Sequence, residues 1–213
     1  MATAFQVEGS RLVGGFDAEE IGLLVHVLEL TRRFVAPERP DTGDPFLDLV
    51  AGLGDEVDPE EPEDPALARL LPSASRDDPD QAAEFRRLTE HGLRSRKAAT
   101  LATAIAALEA ASPPVLELDL GQARALAVGL TDARLILGER LGLRTDEDSE
   151  RLHDELEAAL AGEVELDPAT AQKMAYYDFL SWVQESVTTA LLEAGPPHPS
   201  SPSVSRGRPR GCL

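Results

Sequence analysis

The sequence predicts a mainly α fold: a single helical domain with a short N-terminal β-hairpin and one further short strand. Three observations carry that expectation. Apolar residues recur at helical spacing over most of the chain, whereas strict alternation is confined to "AFQVEGSRLVGGF" and "VLELDL". The pairs Asp64-Pro65, Asp78-Pro79 and Asp167-Pro168 each set a capping carboxylate before a proline at the first helical position, where the missing N–H costs nothing. A chain of 213 residues with 42% hydrophobic composition is long enough to bury one core, and its apolar runs are too short to span a bilayer.

In chain order, the first alternating stretch turns at Gly9-Ser10, with Phe5 and Val7 on one side and Leu12 after the turn, which is hairpin spacing. A helix follows at once: Asp17 caps it, Glu20 completes the capping box, Phe16 staples onto Ile21, and Ile21, Leu24, Val25 and Leu28 keep the helical period. Residues 36–64 read as an acidic, Pro- and Gly-rich connector within the domain, holding one helical island at "PFLDLVAGL". Helices then start at Pro65 and at Pro79. The second of these runs toward Ala111, with a kink expected at Gly92, and stops at "SPPV". "VLELDL" is a strand able to pair with the hairpin, and Asp119 or a neighbour caps the helix "GQARALAVGLTDARLILGERLGL". "TDEDSERLHDELEAALAGEVEL" reads as a short solvated helix, and the last helix runs from Pro168 to about Leu192. The domain thus extends over 1–195, and the Pro/Ser/Arg-rich tail 196–213 is expected to be disordered.

The charge balance restricts function. The chain carries 39 Asp+Glu against 20 Lys+Arg, a formal charge of -19, which repels phosphate backbones, so lone DNA binding is disfavoured. Two blocks, Ala36 to Asp64 and Arg144 to Asp167, hold almost all of the excess. The single cysteine, Cys212, excludes an intramolecular disulfide and a thiolate metal cage, so peroxide is expected to yield at most a dimer linked through the tail. The N-terminal residues lack the basic and apolar segments of an export signal, and the expected location is cytoplasmic. No phosphate-binding loop, nucleophile elbow or zinc-helix motif occurs, His26, His91, His153 and His198 fall on four separate segments, and Asp77-Asp78 and Asp146-Glu147-Asp148 read as solvated charge runs. No enzyme activity, cofactor or metal is expected.

Two stretches stand out. "FRRLTEHGLRSRKAATL" sets Arg86, Arg87, Arg94 and Lys97 within one helical face, with Phe85 and Leu88 away from it. That face is either solvated and paired with the chain's own acidic blocks or a contact surface for an acidic protein partner, and these four cations are the candidate partner contact. "YYDFLSWVQESV" supplies a candidate core aromatic cluster, Tyr177, Phe179 and Trp182, with Phe179, Val183 and Val187 on one inward face.

"DPALARLLP", "EFRRLT" followed by "LRSRK", "TDARLILGERLGL" and "YYDFLSWVQESV", in that order, resemble an actinobacterial family catalogued as a domain of unknown function, one branch of which is described as the actinomycete oxidative-stress regulator family. The resemblance spans about Phe5 to Leu192. It implies a mainly helical cytoplasmic regulator acting on transcription in a stress response with a sigma factor of RNA polymerase, switched by a disulfide between two N-terminal cysteines. This chain departs from the pattern: "MATAFQVEGSRLV" holds no cysteine, Thr131 stands where asparagine is common, and Phe179 where tryptophan is frequent. The expected function is therefore a transcription-associated regulator working through contacts with RNA polymerase or a sigma factor, without a redox switch of its own. The alternative is a non-transcriptional adaptor or assembly protein.

Overall fold

The structure is a computed structural model that describes residues 2–37, 61–75, 77–161, 165 and 167–195. The helical island expected after Asp44 and the tail 196–213 lie outside the described residues. The hairpin forms as the alternation requires: β1 (Thr3–Glu8) pairs antiparallel with β2 (Arg11–Gly15), Glu8 opposite Arg11 and Val7 opposite Leu12. Gly9 takes φ 64°, the left-handed region that the first central position of a two-residue hairpin loop requires. β3 (Val115–Asp119) joins the free edge of β2, placing Leu12 opposite Leu118, so β2 is the centre of a three-stranded antiparallel sheet.

One sheet face buries Phe5, Leu12, Leu116 and Leu118. Gly14 lies on that face for a steric reason: a Cβ there would stand 2.9 Å from the Phe16 ring and 3.0 Å from Phe5. The two rings pack with centroids 5.3 Å apart.

Among the described residues six helices follow: α1 (Ala18–Val35), α2 (Pro65–Leu70), α3 (Pro79–Glu109), α4 (Leu120–Leu141), α5 (Asp146–Leu160) and α6 (Pro168–Ala194). Their starts are set locally. Asp17 accepts from the Glu20 N–H at 2.9 Å while Glu20 accepts from the Asp17 N–H at 2.9 Å. Asp119 and Gln122 repeat this box at α4. Asp64, Asp78 and Asp167 cap α2, α3 and α6, each with proline in the first turn. α3 runs unbroken through Gly92 and ends at Ala110, before Pro113-Pro114.

α4 is the central helix, packed against α1, α2, α3 and α6. Its buried residues are mostly small, among them Ala123, Ala125, Gly129 and Ala133. A Cβ on Gly129 would lie 3.1 Å from Leu101 of α3 and 3.3 Å from Leu28 of α1, so glycine lets three helices meet there. The sheet docks on α6: the Phe5 N–H donates to Ser186 Oγ at 2.6 Å, in a buried bond between residues near opposite ends of the domain.

Candidate functional site

The four cations singled out in the sequence do not form an open basic face. Arg86 and Arg94 flank Glu90 at i−4 and i+4, Arg94 Nε donating to Glu90 Oε1 at 2.8 Å and Arg86 Nε lying 3.6 Å from Oε2. Glu90 is 7% exposed. Lys97 Nζ donates to Asp132 Oδ1 of α4 at 2.6 Å, and Asp132 is 3% exposed. Arg86 also reaches Glu61, at 3.8 Å, and Arg87 makes a two-point bond with Glu84. Arg86, Arg87, Arg94 and Lys97, expected as a partner contact, are thus each engaged by a carboxylate of this chain. Arg86, Arg94 and Lys97 neutralise two buried carboxylates that would be strongly destabilising if left alone; these partners, Glu90 and Asp132, lie outside the acidic blocks expected to pair with the cations, which contribute Glu61. The helix has turned its apolar residues the other way: Phe85 is 51% and Leu88 67% exposed.

The aromatic residues of α6 divide. Phe179 and Trp182, one turn apart, stack with centroids 6.4 Å apart, and Trp182 reaches Phe16 at 6.1 Å, continuing the Phe5–Phe16 contact outward from the sheet. Phe179 is half-buried and Trp182 is 37% exposed, so this pair lies at the rim of the core, whereas Val183 and Val187 are wholly buried. Tyr177 is not part of the stack. At about 100° per residue it points roughly opposite to Phe179, toward α4.

There Tyr177 meets a polar group that sequence reasoning did not find. The Arg134 guanidinium lies over the Tyr177 ring, 5.1 Å from its centroid, and donates to Tyr177 Oη at 3.3 Å. Its other arm donates to Gln184 Oε1 at 2.5 Å, and Gln184 in turn donates to Thr131 Oγ1 at 2.6 Å. Arg134 Nε is buried with no acceptor. Among the described residues no carboxylate lies within ion-pair distance of Arg134, whereas the neighbouring Arg69 is paired with Glu139 at 2.8 Å. Arg69, Thr131, Arg134 and Tyr177 line a hollow of about 160 Å³ walled by Leu135 and Leu143, with Gly138 at its base. The lining offers hydrogen-bond donors, cationic charge and apolar walls, and it includes no carboxylate, histidine or cysteine.

Residues 2–191 match the model of the family described as Domain of unknown function (DUF2017). The chain belongs to that family. Searches among curated proteins and among solved structures match nothing.

Carboxylates on the flank of this DUF2017 chain tie α2 to α4. Asp64, the α2 cap, bonds Arg140, and that guanidinium holds its carboxyl below the usual range. Glu139 is held low by Arg144 first and by Arg69 as well. In α5, Arg151 and the Arg144 N–H draw Asp148 down to about 2. Among the described residues no group of three or more His, Cys, Asp or Glu is placed to hold a metal ion, and no helix is long and apolar enough to cross a membrane. The motifs "TDARLILGERLGL" and "YYDFLSWVQESV" contain the members of the Arg134 cluster without showing that they meet. Tyr177 and Gln184 lie 43 and 50 residues from Arg134, beyond what local spacing reveals.

Proposed function

We propose that this DUF2017 chain is an adaptor that docks another protein on the outer face of α3. The observation that carries the reading is the exposure of Phe85 and Leu88, at 51% and 67%, on a helix face where the adjacent Glu84 is already paired with Arg87. Within about 60° on either side of Leu88, the face continues through His91, Gly92, Ser95, Ala99, Ala102, Thr103 and Ala106, with no Asp, Glu, Lys or Arg on it between Phe85 and Glu109. In a chain that is 28% charged, a solvent-facing helix surface would ordinarily be studded with ions. Two protruding apolar anchors followed by small side chains suit a partner helix laid into the surface. The exposed Asp80 and Glu109 bracket the face, and the charge of -19 opposes a second copy, so the partner that fits is a different protein with an apolar helix flanked by basic residues.

A finer reading, in which that partner is RNA polymerase or a sigma factor, is supported by the resemblance of the ordered motifs to a family one branch of which is described as an oxidative-stress regulator. No cysteine pair is available for a switch. A photo-crosslinking residue placed at Leu88 in cells, with an equivalent probe at Glu157 as control, tests both levels. A discrete protein adduct at Leu88 that Phe85→Asp abolishes is the expected result. The absence of any Leu88-specific adduct from folded protein overturns the adaptor reading. An adduct with a polymerase subunit or sigma factor supports the transcriptional partner, and an adduct with any other protein removes it.

A further inference from the structure

We infer that the hollow between α2, α4 and α6 binds a small carboxylate with a compact apolar body, held by Arg134. Every other mostly buried cation considered above has a carboxylate: Arg69 has Glu139, Arg86 and Arg94 share Glu90, and Lys97 has Asp132. Arg134 has none among the described residues, and its Nε–H is buried with no acceptor. A part-buried guanidinium without a counter-charge is unfavourable, and an anion held by its terminal nitrogens supplies that charge.

The site is also built for a ligand of that shape. A guanidinium carries five N–H donors. The bonds to Gln184 and Tyr177 use one on each terminal nitrogen and fix the plane of the group, leaving a further N–H on each. These remaining donors suit the oxygens of a carboxylate. Tyr177 and Thr131 are on the same lining, the Thr131 hydroxyl donating to the Ala127 carbonyl, while Leu135 and Leu143 offer nothing to a second charge. The hollow, about 160 Å³, is close to the roughly 150 Å³ of an engineered cavity that takes up benzene. A benzoate-sized anion fits these limits, and a nucleotide does not. Glu139 stands nearby, but its charge is already met by Arg69 and Arg144. The inference does not depend on the docking face of α3.

Calorimetric titration of the full chain at constant ionic strength, with sodium benzoate, sodium acetate and inorganic phosphate as probes, tests it. Benzoate is expected to bind saturably at one site and more tightly than either of the others, and Arg134→Gln should weaken it at least tenfold. Should Arg134→Gln fail to fold, Gly138→Ala serves. Its new Cβ would sit 3.8 Å from Tyr177 and 3.9 Å from Leu143, in ordinary contact, and alanine favours the helix, so the variant should fold at least as well. The added methyl occupies the hollow, and benzoate affinity should fall several-fold while that of acetate changes little. No saturable benzoate binding up to about ten millimolar, or binding indifferent to both substitutions, overturns the inference. Phosphate binding tighter than benzoate overturns the assigned ligand class.

Discussion

The side chains of Lys97 and Asp132 pose the sharpest question at the scale of single residues. Their bond spans 35 positions and joins α3 to a carboxylate sealed inside α4. Replacing Lys97 by Met leaves that carboxylate without its counter-charge and should cost about 3–5 kcal/mol, whereas Lys97→Met combined with Asp132→Leu should recover most of the loss. Urea unfolding of the two variants decides this, and equal destabilisation by both would count against the pairing. Gly14→Ala should cost about 1–3 kcal/mol, because its methyl would press on both phenyl rings. At this scale the caps were legible and the pairings were not. Asp17, Asp64, Asp78 and Asp167 bond backbone groups two or three positions away, so their role is written in the adjacent sequence. Asp132 looks like any exposed acid until the tertiary fold brings Lys97 to it.

For whole elements, the helical period of α3 was readable but its orientation was not. Spacing alone separates Phe85 and Leu88 from the four cations, and ordinary amphipathic logic sends the apolar side inward. The fold reverses this for the N-terminal half because Glu90 and Asp132 occupy the interior and draw the cations after them. Leu88→Asp should therefore leave urea stability within about 0.5 kcal/mol of the parent, and a loss above about 2 kcal/mol would show that Leu88 is buried in solution. The docking of α2 on α4 has a pH dependence of defined sign. Asp64 and Glu139, with ordinary values of 3.8 and 4.5, are both held lower in the folded chain. Their contribution is fully present above those ordinary values and is lost as pH falls through the lower folded ones. Amide exchange of residues 65–70 followed from pH 6 downward should show α2 loosening only below about pH 4. Arg140→Gln should move that loosening to higher pH.

Over the whole molecule, composition was the readable part. The sequence concentrates its negative charge in two blocks, and the first of them reaches back to the helices through Glu61–Arg86 and Asp64–Arg140. Cations spent in this way are not available to phosphates, so the isolated chain should show no binding to labelled duplex DNA by fluorescence anisotropy at about 150 mM salt. Tight binding there that falls when Arg86 and Arg94 are replaced would refute this. The hairpin and the third strand were legible because alternation is local. The Arg134 hollow was not, since it exists only where three helices from distant parts of the chain converge.

The bond between Phe5 and Ser186 sets an order on synthesis. Strand β1 is synthesised well before α6, on which it rests, and β2 waits for β3, about a hundred residues on. At roughly 5–20 residues per second, the hairpin spends on the order of ten seconds or more with its apolar face uncovered. For that interval the nascent chain presents Phe5, Leu12 and Phe16 to whatever meets it, so arrest of translation before Pro168 should yield a species retained by chaperones, and release past Ala194 should free it.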